Sequence, residues 1–165
     1  MAVKQKIVGR HQMVAFLKTG DNVFSRMTGF TSLSEKKNPK EYTRQYVDEE
    51  AERSDVIGYA TSYDYEFDRY TENAVHNLLA SISDDEIIGE DAQVEIVAVD
   101  LFDKTSDGSY TARKRTYSVI PDSSGDGTDA LVYKGSLKLA SGLTKGTCTS
   151  DDKWQTCTFK ETSEE

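Results

Sequence analysis

No stretch of this sequence approaches the roughly 18 consecutive apolar residues of a membrane-crossing helix. The first residues, Met1 to Arg10, lack the continuous apolar run of a secretory leader, so the expectation is a protein made in a cytoplasm. Cysteine is scarce. Cys148 and Cys157 are the only two and show no CxxC spacing, which leaves no zinc pattern. A tight turn over Asp151 to Trp154 would set them opposite each other on adjacent strands. A cross-strand disulfide is then conceivable, but in a reducing compartment two free, half-buried thiols are the better expectation. Basic charge is in short supply too: 20 Lys and Arg stand against 29 Asp and Glu, a net charge of -9. A phosphate-binding surface needs clustered cations, so specific nucleic-acid binding is not expected.

Catalytic signatures are also missing. There is no GxSxG, HExxH or phosphate-cradling glycine loop, and His11 and His76 have no nucleophile motif near them. His76 reads as a surface residue, and the chain as no enzyme, with no cofactor. The segment Asp122 to Asp129 offers oxygens at Asp122, Asp126 and Asp129 and a glycine at Gly127, but an EF-hand loop needs a bidentate Glu where this sequence has Tyr133. An ordinary hairpin loop is expected there.

What is present is β-forming sequence. Apolar residues make up 36% of the chain, below the usual share of about 45–50%, while 30% are charged. Nine Tyr and six Phe, with many Val, Ile and Thr, argue against disorder. The 165 residues suit one domain, from which ordered ribbons project. The expected fold is mainly β, a sandwich of two packed sheets with one flanking α-helix and a long protruding hairpin or loop over residues 34–54. Residues 161–165 are expected to be a loose tail.

Strands are predicted over Met13 to Leu17, Val23 to Met27, Phe30 to Ser34, Glu41 to Val47 and Val56 to Asp68. Further strands are predicted over Gln93 to Phe102, Thr111 to Ile120, Ala130 to Leu139, Lys145 to Ser150 and Gln155 to Lys160. Gln93 to Phe102 is apolar on both faces, which marks a central strand covered twice. In Val56 to Asp68, Tyr59, Thr61, Tyr63, Tyr65 and Phe67 alternate with Ala60, Ser62, Asp64, Glu66 and Asp68. Successive strand side chains point to opposite faces, so the aromatics should enter the core and Asp64, Glu66 and Asp68 should line a wet face. Between Thr71 and Ser83 the period changes, with Val75, Leu78, Leu79 and Ile82 on one helical face and Thr71 as cap.

Charge is segregated along the chain. Lys4, Lys6, Arg10 and Lys18 are basic, Asp48, Glu49, Glu50, Glu52 and Asp55 form an acidic run, and Arg113, Lys114 and Arg115 form a second basic patch. A second acidic run holds Asp84, Asp85, Glu86, Glu90 and Asp91. Such runs are either solvated faces or ends that attract one another between copies.

The hairpin sequence Asn38-Pro-Lys-Glu-Tyr-Thr-Arg-Gln-Tyr-Val-Asp-Glu-Glu, followed by Asp55-Val-Ile-Gly-Tyr-Ala and Tyr65-Glu-Phe-Asp, resembles the major tail tube proteins of long-tailed bacteriophages. Thr71-Glu-Asn-Ala-Val-His, Val132-Tyr-Lys-Gly-Ser-Leu-Lys and Lys145-Gly-Thr extend the likeness over most of residues 30 to 160. The resemblance implies a virion structural protein whose copies form hexameric rings, stacked into the tube through which DNA leaves without specific binding. It further implies tape measure, tail terminator and distal tail proteins as partners, and a place in the virion tail. Asp64, Glu66 and Asp68 would then face the lumen. Residues expected to meet neighbouring copies are Lys4, Lys6, Arg10, Lys36, Lys37, Lys40, Tyr42, Arg44, Tyr46, Asp48, Glu49 and Glu50. A tube protein of a contractile tail or bacterial injection device stays open, as does a monomeric carbohydrate- or receptor-binding sandwich. Core-facing tyrosines favour the tube and exposed ones favour ligand binding.

Overall fold

The computed structural model describes residues 4–126 and 128–162. Short hairpins dominate the order of elements because turn residues follow the strands closely. Strand β1 (Met13–Gly20) enters β2 (Val23–Arg26) through Asp21-Asn22, with Asn22 at φ 49°, a left-handed conformation that asparagine tolerates. Then come β3 (Phe30–Lys36), β4 (Pro39–Arg44), β5 (Arg53–Tyr59), β6 (Ser62–Asp68) and the helix α1 (Ala74–Asp84). The chain finishes with β7 (Gln93–Lys104), β8 (Tyr110–Asp126), β9 (Val132–Leu139), β10 (Thr144–Thr149) and β11 (Thr156–Glu161). Of the expected loose tail, Glu161 closes β11 and residues 163–165 lie outside the described residues, as does Gly127 of the Asp122 to Asp129 segment.

Nine strands form one antiparallel sheet in the order β10-β11-β2-β1-β7-β8-β9-β6-β3, and β4 and β5 form a separate two-stranded sheet. The fold is the mainly β sandwich with one helix that the composition suggested, but its layers come from one sheet that folds over itself. Strand β8 spans 17 residues and is shared: Tyr110 to Lys114 pair with β10, while Tyr117 to Asp126 pair with β9. The β10 pairing closes β10, β11, β2, β1, β7 and β8 into a ring. Where a hairpin loop was expected over Asp122 to Asp129, β8 continues to Asp126, because two irregularities, at Pro121/Ser123 and Ser124/Asp126, absorb the extra residues without ending the ladder.

Two cores result. Inside the ring lie Val14, Phe16, Phe24, Val97, Val99, Ala112, Cys148, Cys157 and Phe159. Between α1 and the sheet lie Leu17, Tyr63, Tyr65, Phe67, Val75, Leu79, Ile82, Val94, Ile96, Tyr117 and Leu137. Strand β7 serves both, with Val94 and Ile96 on one face and Val97 and Val99 on the other, as its two-sided apolar pattern required. The cysteines are free thiols, but fully buried rather than half-buried, because the closed ring wraps them.

The alternation in β6 puts Tyr63, Tyr65 and Phe67 in the core and leaves Asp64, Glu66 and Asp68 half-exposed on the opposite face. Phe67 has no exposed surface and stacks on Tyr133 at 5.5 Å and on His76 at 4.4 Å between ring centroids. Gly135 of β9 sits where a Cβ would come within 2.5 Å of the Tyr65 hydroxyl and 2.7 Å of the Ile120 carbonyl, so the site has no room for a side chain. The predicted single strand Val56 to Asp68 is in fact two. It breaks at Ala60-Thr61, and Tyr59 is exposed rather than core-facing because it belongs to β5, beyond the break.

Asn73, not Thr71, caps α1, its side-chain oxygen accepting the Val75 and His76 N–H groups at 3.1 and 3.2 Å. His76 is fully buried, contrary to its reading as a surface residue, because the helix turns it onto the aromatic cluster. Its Nε2–H donates to the Thr28 carbonyl at 2.6 Å, and the Tyr70 N–H donates to its Nδ1 at 3.1 Å. Those contacts fit only the neutral ring, and burial foremost lowers its pKa below the ordinary 6.5.

Phe67→Ala should cost roughly 3–5 kcal/mol in chemical denaturation, since it empties the centre of the stack. His76 contributes stability that is full above its unfolded pKa of 6.5 and is lost as pH falls from there toward the depressed folded value. Denaturation of the native chain and of His76→Gln, compared over about pH 5 to 7, should show the acid-side loss in the native chain and a weaker one in the variant.

Candidate assembly surface

Strands β3 and β6 pair from Phe30/Phe67 to Lys36/Ser62, and beyond them β4 and β5 continue as a ribbon. The joint between the two is held by Asn38, at φ 45°. Its amide donates to the Ala60 carbonyl at 3.1 Å and to Ser62 Oγ at 3.0 Å, and its own carbonyl accepts the Ala60 N–H at 3.3 Å. Ser34 to Lys36 therefore stay in the main sheet, and the ribbon that leaves it is Pro39 to Tyr59.

Glu35 carries a charge at the root of this ribbon. Its carboxylate contacts Lys37 at 2.7 Å and Arg115 at 3.3 Å, and the buried Tyr63 hydroxyl donates to it at 3.4 Å. Burial first, and Glu35 next, raise the Tyr63 pKa. No local pattern announces Glu35, because Arg115 is 80 residues away in sequence.

At the far end the ribbon is ordered by its own side chains. The Arg44 guanidinium lies over the rings of Tyr42 at 5.1 Å and Tyr46 at 5.3 Å. It also donates to the Tyr46 hydroxyl at 2.7 Å and pairs with Asp55 at 2.6 Å, bonds that raise its pKa above the usual value, the Tyr46 bond foremost. Arg53 pairs with Glu49 at 2.5 Å, and the Gln45 amide donates to the Glu49 and Glu50 carbonyls at 3.4 and 3.2 Å. Asp48 is exposed in the same bend. Along the ribbon and its bend Tyr42, Tyr46, Val47, Val56, Ile57 and Tyr59 are all at least 45% exposed, and Tyr42 and Val56, in successive register pairs, put apolar surface on both faces.

The acidic face of β6 is not purely acidic. Lys36 pairs with Asp64 at 2.5 Å, and Lys134 and Lys138 of β9 stand in register with Glu66 and Ser62. Lys4 and Lys6 are exposed in a segment without regular secondary structure ahead of β1. Arg10, by contrast, is engaged within the chain, donating to the Met13 carbonyl at 2.9 Å and the Leu33 carbonyl at 3.1 Å. The second basic patch is also matched internally: Arg113 with Asp100 at 2.8 Å, Lys114 with Glu95 at 3.9 Å and Arg115 with Glu35. Lys40 is exposed on β4.

Among the described residues no three His, Cys, Asp or Glu side chains converge as metal ligands, and no helix is long and apolar enough to cross a membrane. No family model matches the chain, and no curated protein matches it in sequence. Among solved structures, the chain is similar to one from a cryo-EM structure of the anti-feeding prophage (AFP) baseplate, 6-fold symmetrised. The identity is 8%, the TM-score 0.48, and the match covers 86% of this chain and 97% of that one.

Arg44→Ala removes contacts made only within the exposed ribbon, so global stability should change by no more than about 0.5 kcal/mol. Hydrogen exchange should nevertheless accelerate through residues 45–52, where the guanidinium and its neighbours hold the bend.

Proposed function

We propose that this protein is a structural subunit of a phage-type tail that assembles with copies of itself into hexameric rings, stacked as a tube that conducts DNA. The observation that carries this reading is the Pro39 to Tyr59 ribbon, which is ordered by its own ion pairs yet exposes tyrosines and aliphatics that nothing among the described residues buries. An isolated two-stranded ribbon is marginal in water, so apolar side chains on it gain most when a second surface buries them. The sequence resemblance to tail tube proteins names the kind of surface, a neighbouring subunit. On the same reading Asp64, Glu66 and Asp68 face the lumen, and tape measure, tail terminator and distal tail proteins are further partners in the virion tail.

The exposed tyrosines are also what a carbohydrate-binding module would display. Tyr42 and Tyr46, however, stand on a two-stranded ribbon with the Arg44 guanidinium against their rings, rather than in a cleft that would bury a ligand. The two tyrosines buried in β6, Tyr63 and Tyr65, hold the fold instead.

Negative-stain microscopy of the concentrated chain should show rings or hollow tubes of uniform width. Tyr46→Ala combined with Ile57→Ser should abolish them while leaving the unfolding midpoint near that of the native chain. Small monodisperse particles at every concentration of the native chain would sink the reading. With a net charge of -9 on each copy, local charge pairs between copies are needed to offset the repulsion that burial of the ribbon must overcome, so high salt should shorten the tubes, and salt-insensitive tubes would count against charge-paired stacking.

A further inference from the structure

Cys148 of β10 and Cys157 of β11 stand in the core of the closed ring with their sulfurs 3.8 Å apart. Neither residue is more than 3% exposed. They are not directly opposed in the ladder, where Cys148 faces Phe159, but both side chains point to the interior from neighbouring strands. The connection between them is held in shape from both sides. Ser150 Oγ donates to the Thr156 carbonyl at 2.7 Å and accepts the Trp154 N–H at 3.0 Å, while Asp152 accepts both the Thr156 N–H and its hydroxyl. Trp154 then covers this end of the ring, packing on Tyr110 at 5.3 Å and Phe16 at 6.1 Å.

We propose that Cys148 and Cys157 form a disulfide site that closes the β10–β11 hairpin covalently once the chain is in an oxidising medium. The sulfurs must approach from 3.8 Å to about 2 Å, a change that side-chain rotation with a small shift of the two strands supplies. The chemistry is thiol–disulfide exchange with a small disulfide such as oxidised glutathione. One cysteine thiolate attacks a glutathione sulfur and releases one glutathione thiolate; the second cysteine then attacks the mixed disulfide and releases the other. Two protein thiols lose their protons and become one disulfide, and one glutathione disulfide is reduced to two thiols.

Exchange runs while the hairpin is open, since the packed core has no room for a glutathione adduct. In the folded chain the reaction is slow for a second reason: contact with Cys148, followed by burial, raises the Cys157 pKa, so little thiolate is present. The hairpin matters to the whole ring because β10 pairs with β8 and β11 with β2. A bond between β10 and β11 therefore secures the closure of the sheet.

Trypsin provides a direct readout, because Lys153 lies between the two cysteines and separates peptide 146–153 from peptide 154–160. The full-length chain is denatured, refolded in a glutathione redox buffer, alkylated and digested. The two peptides should run as one linked species that separates on reduction. Cys148→Ala and Cys157→Ala should each abolish the link. The unfolding midpoint of the oxidised native chain should lie above that of the reduced chain, and the single variants should not respond to reductant. Recovery of both cysteines alkylated, of glutathione adducts, or of dimers linked between chains would overturn the proposal. So would an oxidised chain no more stable than the reduced one, since the bond would then not fit the native ring. All of these are measured on the isolated chain, so the result stands apart from the test of assembly.

Discussion

The pairing of the first residues of β8 with β10 is the constraint on which the rest of the structure depends. A nine-stranded sheet left open would expose both long edges and one apolar face. By bonding to β7, β9 and β10 along its 17 residues, β8 folds the sheet over and turns one surface into two enclosed ones. One encloses Phe16, Phe24 and Phe159, and the other receives α1 and the stack around Phe67. Strand β7 can then be apolar on both faces without exposing either.

The closed part sets the conditions for the part that projects. Because β3 and β6 belong to the packed sheet, the ribbon beyond Lys36 and Ser62 starts from a rigid base. The base is strengthened by a charge cluster, Glu35 with Lys37 and Arg115, beside the buried Tyr63 hydroxyl. Single exposed ion pairs contribute little, but a carboxylate with two cations and a phenol around it, mostly withdrawn from water, has few other orientations. Farther out, Arg44 performs the equivalent task at the surface by joining Tyr42, Tyr46 and Asp55. Order is thereby preserved where no core exists, which lowers the entropy lost when a second surface covers the ribbon.

Strand positions and the inward side of β6 were legible in the sequence because a period of two survives any arrangement of the sheet, as Tyr63, Tyr65 and Phe67 show. The same pattern misassigned Tyr59, since a break at Ala60-Thr61 resets which surface lies behind the strand. His76 was misplaced for a related reason. Its position beside Asn73 and Asn77 looked polar, whereas burial depended on Phe67, Phe30 and the Thr28 carbonyl coming from other elements. Of the residues expected to meet neighbouring copies, Lys4, Lys6 and Lys40 are exposed, while Arg10 is engaged within the chain, as are Arg113 and Arg115 of the second basic patch, by groups that no local pattern announces.

By itself, then, the sequence determined the β class, the single helix, the two-sided central strand and a polar, Tyr-rich ribbon too long for the core to use. Those follow from local periodicity and composition, which depend only on neighbours along the chain. Tertiary structure alone decided that one sheet would make both layers, that the two thiols would meet inside a closed ring, and that the ribbon would leave at Asn38 rather than at Ser34. Each of those outcomes rests on a contact between residues far apart in sequence, or on the exact place where a ladder of hydrogen bonds stops, and neither leaves a local signature.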